Sequence, residues 1–145
     1  MRATYIWVSR LIALGVVLQA AFAAFGTFQI VRAANDGTAY TEDSGENLGQ
    51  QLHSVFGTVV LPLLALILLA IPFFARIPGG ARLAVVVAGL TVVQVLLGVF
   101  SYPVPAIGLL HGINAFALAA AAGFAGRRAG QAPAVAPDSE ATPAA

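Results

Sequence analysis

Four stretches of the chain, Leu11 to Val31, Val55 to Ala75, Leu83 to Tyr102 and Pro105 to Ala125, contain no Asp, Glu, Lys or Arg. A helix of about 20 mainly apolar residues crosses the roughly 30 Å of hydrocarbon in a bilayer, so each stretch has the length and character of a membrane span. The chain as a whole is 59% hydrophobic and 9% charged, whereas a soluble domain carries about 25% charged residues. Too few charges remain to cover a surface facing water. The expected fold is therefore all-α, an integral membrane four-helix up-and-down bundle over residues 1–128, with spans at about 11–31, 52–75, 82–102 and 105–126 and an outer loop at 32–50.

The connections set the topology. Arg76 to Arg82 holds Pro78, Gly79 and Gly80, and Tyr102 to Pro105 holds two prolines; neither segment continues a helix smoothly. Spans 2, 3 and 4 must then run as antiparallel neighbours. Residues 129–145 are rich in Ala and Pro, cannot build a core, and are expected to be a disordered cytoplasmic tail. Short cytoplasmic segments carry the excess of Lys and Arg. Arg2, Arg10, Arg76, Arg82, Arg127 and Arg128 fall on one side and Arg32 alone on the other, which predicts a multi-pass protein of a bacterial plasma membrane with both termini cytoplasmic. The first span, 21 residues without a charge, exceeds the 7 to 15 apolar residues of a signal peptide and is read as retained.

A net charge of +1 is too balanced for a polyanion footprint, so nucleic acid is not expected as a partner. With no cysteine in the chain, disulfides, thiolate metal sites and covalent haem attachment are excluded. Nitrogen and oxygen donors remain.

Within the spans the metal-binding side chains are His53 and His111. Helix 2 is expected to start at Asn47, with Gln50 three residues on as in a capping box, and Pro105 suits the first position of helix 4. Each histidine then lies about six residues into its helix, at nearly equal depth in the outer leaflet. In an up-and-down bundle these two helices face each other across a diagonal of roughly 13 Å, given 8 to 10 Å between neighbouring axes. Two inward imidazoles could grip one metal there. A bare ion would be short of ligands, whereas a haem brings four nitrogens of its own, and bundle cores are a known place for haem. Intramembrane ionisable residues are costly and functional by default.

Small residues flank the pair: Gly57 shares the His53 face, Gly108, Gly112 and Ala115 surround His111, and Gly89 and Gly98 clear helix 3. Gln19, Gln94 and Asn114 are placed to orient a ligating imidazole through its second nitrogen. Small residues also pack membrane helices closely with no cofactor, and polar ones also serve as glue between helices. Pro62 releases the Thr58 carbonyl from its helical bond, which either kinks the helix below the site or is simply tolerated, as prolines in membrane helices are.

The runs QQLHSVFG (50–57), LTVVQVLLGVFSY (90–102) and PAIGLLHGINAFALA (105–119) resemble one half of the haem A synthase family, whose members are built from two four-helix halves, each with a histidine on its second and fourth helices. The chain is also similar to small four-span proteins of actinobacteria. The first resemblance, over about residues 47–126, implies that His53 and His111 are the axial ligands of one haem b, with Gln94 and Gly98 lining the bundle near it. In the catalytic half of that family a glutamate stands three residues before the helix 2 histidine and an arginine follows it; here those places hold Gln50 and Ser54. The paired outer-loop cysteines of some members are also missing. The resemblance therefore implies a cofactor-holding bundle that is not catalytic alone.

Three functions follow as expectations. The first is haem binding for electron transfer or haem handling, with a membrane redox partner approaching from the outer face. The second is a cofactor-free accessory or scaffold protein of a membrane complex. The third is a half-size haem-modifying protein that forms a homodimer to rebuild eight helices, which the missing glutamate opposes.

Overall fold

The computed structural model describes residues 1–39 and 47–131. The acidic residues Glu42, Asp43 and Glu46 of the expected outer loop, and residues 132–145 of the expected tail, lie outside the described residues. The described residues are 86% helical, with no strands among them. Four helices are long and apolar enough to cross a membrane: α1 (Arg2–Asn35), α2 (Leu48–Phe74), α3 (Gly80–Phe100) and α4 (Ile107–Gln131). Consecutive helices pack against one another and α4 closes the ring against α1. His53 on α2 and His111 on α4 thus stand on diagonal partners, as the up-and-down arrangement requires.

The helix ends differ from those expected, each for a local reason. At the end of the bundle that holds the N-terminus, α1 begins at Arg2, whose Nε and Nη2 donate to the Ala129 and Gly130 carbonyls at 2.6 and 2.9 Å. Carbonyls of a last helical turn lack partners within the helix. The arginine supplies them, and α4 continues past residue 128 to Gln131 instead of giving way to a tail. Pro105 does not open α4. It sits in a turn where Ile107 N–H donates to Val104 and Gly108 N–H to Pro105, both at 2.9 Å, and the helix starts at Ile107. Asn47 does cap α2, its side chain accepting from Gln50 N–H at 3.0 Å. Gly79 supplies the left-handed residue (φ 71°) that reverses the chain into α3.

Helix α2 holds a π-helical turn over Phe56–Val60, and Leu61 N–H reaches back to Phe56. Pro62 explains it. With no N–H to give the Thr58 carbonyl, the α ladder is already broken there, and the chain accommodates an extra residue as a π-bulge, a feature frequent at functional sites. At the place where Pro62 raised the expectation of a kink, the structure shows this change of register.

Packing is uneven along the bundle. The core cluster includes Tyr5, Val8, Ile12, Leu68, Ile71, Ala84, Val87, Leu118, Ala122 and Ala125, all in the half nearer the N-terminus, here called the terminal half. Tyr5 is fully buried and its hydroxyl donates to the Gly80 carbonyl at 2.9 Å. The other half, nearer the α1–α2 loop, is built on polar residues and close glycine contacts. At its end a Cβ on Gly49 would stand 2.5 Å from Gly26 Cα and 2.9 Å from the Phe22 carbonyl oxygen, so α1 and α2 touch backbone to backbone. Asn47 Nδ2 donates to the Gly26 carbonyl at 2.9 Å, and Gln29 Oε1 accepts from Gly49 N–H at 3.2 Å.

Candidate functional site

His53 and His111 meet in the loop half. Their rings lie 6.1 Å apart, centroid to centroid, with an interplanar angle of 63°, and both residues are half-buried. The spacing also lies within the range of a plain edge-to-face ring pair. What a ring pair leaves unexplained is how each imidazole is held. His53 Nδ1 lies 3.0 Å from the Gln19 main-chain oxygen, and His111 Nδ1 lies 3.0 Å from the Gln94 main-chain oxygen. A carbonyl only accepts, so both Nδ1 atoms carry the hydrogen, and in the neutral ring Nε2 is then the nitrogen with the lone pair. That is the tautomer of a histidine ready to ligate through Nε2, its other nitrogen held by a backbone carbonyl.

The same two glutamines return the bond. Gln19 Nε2 donates to the His53 carbonyl at 3.0 Å, and Gln94 Nε2 donates to the His111 carbonyl at 3.1 Å. Each histidine is thus joined to the preceding helix by a reciprocal pair of hydrogen bonds, α1 to α2 and α3 to α4. The two helical hairpins repeat one device. Gln19 and Gln94 were singled out in the sequence as residues that could orient an imidazole; it is their main-chain oxygens that hold the rings, while their side chains pin the histidine backbones.

Beyond this repeat the halves of the pair differ. Gln94 Nε2 also stands 3.1 Å from His111 Nε2, donating into the lone pair, and Asn114 Nδ2 fixes that amide by donating to Gln94 Oε1 at 2.6 Å and to the Leu90 carbonyl at 3.0 Å. Around His53 the Gln19 amide stops at the backbone. Its Oε1 is buried with no hydrogen-bond partner among the described residues.

The flanking glycines divide by what fills them. A Cβ at Gly57 would collide with Gln19 Nε2, so this glycine seats the glutamine amide. One at Gly98 would stand 3.2 Å from His111 Cε1 and 3.4 Å from its Nδ1, so this glycine seats the histidine ring. Gly112 and Gly89 face open space, with nothing within 4 Å of an added Cβ. Of the five glycines expected to flank the pair, Gly57 and Gly98 are taken up by the protein's own side chains, Gly108 has Ser101 Oγ 3.8 Å from an added Cβ, and Gly89 and Gly112 are open. Arg32 lies 3.9 Å from Asp36 one turn on, both side chains well exposed. A shallow apolar cleft of about 270 Å³ between α2 and α3 is lined by Thr58, Pro62, Thr91, Val92, Val95 and Leu96; it does not include the histidines.

The centroid spacing alone is compatible with a metal that brings further ligands of its own, while the His111 lone pair already accepts from Gln94 in this structure. Two metal–nitrogen bonds of about 2 Å, plus the distance from each nitrogen to its own ring centre, come to roughly 6 Å, close to the spacing found. Among the described residues no group of three or more His, Cys, Asp or Glu could complete a bare ion. Comparison with family models, with curated proteins and with solved structures finds no match to the chain.

Proposed function

We propose that the chain is an integral membrane protein that binds one haem b between His53 and His111 and serves in electron transfer or haem handling. The observation that carries this reading is the facing pair of imidazoles, each held by a carbonyl at Nδ1. The four apolar helices support a multi-pass protein, and the six-to-one division of arginines supports a bacterial plasma membrane with both termini cytoplasmic. Haem would supply a one-electron couple and four of the six ligands. The chain's part would be to hold the group between the His53 and His111 imidazoles, each fixed by a backbone carbonyl at Nδ1, and to exclude charge from their surroundings. An arrangement with two protein ligands favours electron exchange over substrate activation. Gln50 and Ser54 stand where the resembling family has its glutamate and arginine, so the chain is not read as catalytic alone.

Titration of the purified, haem-free protein with hemin tests the proposal. One equivalent per chain should develop a low-spin spectrum, and His53→Ala or His111→Ala should each prevent it. Uptake that survives both substitutions, or that shows no saturation, would contradict the assignment.

One observation favours the second reading, a cofactor-free accessory protein. The Gln94 amide satisfies His111 Nε2 without any metal, so the polar cluster would also serve as interhelical glue. A protein with intact helices that takes up no hemin would support that reading instead.

A further inference from the structure

Along the seam between α1 and α4, Ser9 faces Gly126: a Cβ on that glycine would stand 3.2 Å from Ser9 Cβ and 3.4 Å from the Ile6 main-chain oxygen. The next residue on each helix is an arginine, Arg10 or Arg127. One residue is about 100° of rotation, and because the helices are antiparallel the two turns carry both arginines to the same side of the seam. It is the outer side, since Tyr5 and Ile12, on the opposite flank of Ser9, are fully buried while Arg10 and Arg127 are exposed. Side chains on a helix lean toward its N-terminus, so Arg10 leans out to the end of the bundle and Arg127 leans inward. Arg10 Cζ lies 5.3 Å from the centre of the Trp7 ring, and a Cβ on Gly123, one turn inward on α4, would stand 3.4 Å from Arg127 Nη1. Two guanidinium groups thus flank one strip of the seam at the margin of the apolar spans.

We propose that this strip binds the headgroup of an anionic phospholipid, with Arg10 and Arg127 donating to its phosphate oxygens. Guanidinium forks match phosphate geometry. Charge selects the anionic lipid: among the described residues the one acid is Asp36, at the far end of α1, so no described carboxylate at this end offsets the pair. A zwitterionic headgroup would bring its own ammonium against them. Trp7, 60% exposed beside Arg10, marks the depth, since tryptophan settles at headgroup level. Arg2 engages the Ala129 and Gly130 carbonyls of the last α4 turn, which would otherwise repel an anion. Inward of the pair, one turn along each helix, Leu14 and Phe124 are exposed; they offer an acyl chain the apolar contact that a free ion would not use. The inference does not depend on the haem reading.

Trp7 is the only tryptophan of the chain, and brominated acyl chains quench a tryptophan they touch. The test is Trp7 fluorescence of the full chain in bilayers that mix phosphatidylglycerol with phosphatidylcholine, the bromines on one lipid or on the other. The ratio of the two quenching curves gives the relative affinity of the anionic lipid for this strip. It should lie well above one, and Arg10→Gln and Arg127→Gln should each lower it about fivefold, the scale of one arginine at an anionic surface. Arg10→Gln alters the emission of the ring it covers, so Arg127→Gln, which does not touch Trp7, is the cleaner arm. Arg82→Gln, at the same end but on the diagonal helix α3, should leave the ratio unchanged. Equal quenching by the two lipids, a preference that survives both substitutions, an equal loss in Arg82→Gln, or displacement by inorganic phosphate at constant ionic strength would overturn the inference. So would a preference that emerges only when Asp138→Asn and Glu140→Gln are introduced together, which would assign the strip to the chain's own C-terminal acids.

Discussion

The terminal half and the loop half of this bundle are built from the same four helices on different principles. In the terminal half Ile12, Leu68, Val87 and Leu118 are fully buried and interlock with the small residues Ala84, Ala122 and Ala125. In the loop half the facing side chains are Gln19, His53, Gln94, His111 and Asn114, joined by hydrogen bonds across helix pairs. In lipid no hydrophobic force separates one apolar helix face from another, so association rests on close packing and polar contacts. The terminal half rests mainly on apolar packing, and the loop half combines the polar contacts with the close approach of Gly26 and Gly49. Each half keeps one buried side-chain oxygen without a partner among the described residues, Ser9 Oγ in the terminal half and Gln19 Oε1 in the loop half, and the π-turn at Phe56–Val60 lies at the boundary between them.

Substitutions should separate the two halves, beginning with the largest effect. His53→Ala and His111→Ala should each remove the whole low-spin signal while the helical circular dichroism persists, and the double variant should add nothing; independent partial losses would mean the histidines do not act as a pair. Leu118→Ala opens a cavity in the dry half and should lower stability by about 2 to 5 kcal/mol, measured by unfolding in mixed detergent, with the spectrum of the folded fraction unchanged. If that spectrum shifts, the halves are coupled. Pro62→Ala restores an N–H to the Thr58 carbonyl and lets the π-turn close. One residue of register is about 100° of rotation, so hemin affinity should fall about tenfold, and an unaltered affinity would show that the π-turn does not aim His53. Tyr5→Phe deletes the bond to the Gly80 carbonyl and should cost about 1 kcal/mol with no spectral change.

The number of helices and the diagonal placement of His53 and His111 were legible because they follow from counting charge-free residues and from short connections. Helix ends were not. Pro105 has the sequence character of a first helical residue, yet the turn from Val104 to Gly108 claims it, and the extension of α4 depends on Arg2, which is remote in sequence. The glycines show a second limit. Spacing puts Gly57 on the His53 face, but nothing in the sequence says that Gln19 from another helix fills the space it leaves. Likewise, Gln19 and Gln94 were recognisable as polar residues at the right depth, while the use of their main-chain oxygens is invisible until the helices are placed. Backbone groups carry no sequence signal.

The central claim is that the paired imidazoles hold a haem, and the absorption spectrum of the protein extracted from its membrane, before and after dithionite, tests it most directly. The account predicts a low-spin haem b spectrum with sharp bands on reduction, at one haem per chain, lost in His53→Ala and in His111→Ala. A folded, colourless protein that also stays colourless when hemin is supplied would contradict it.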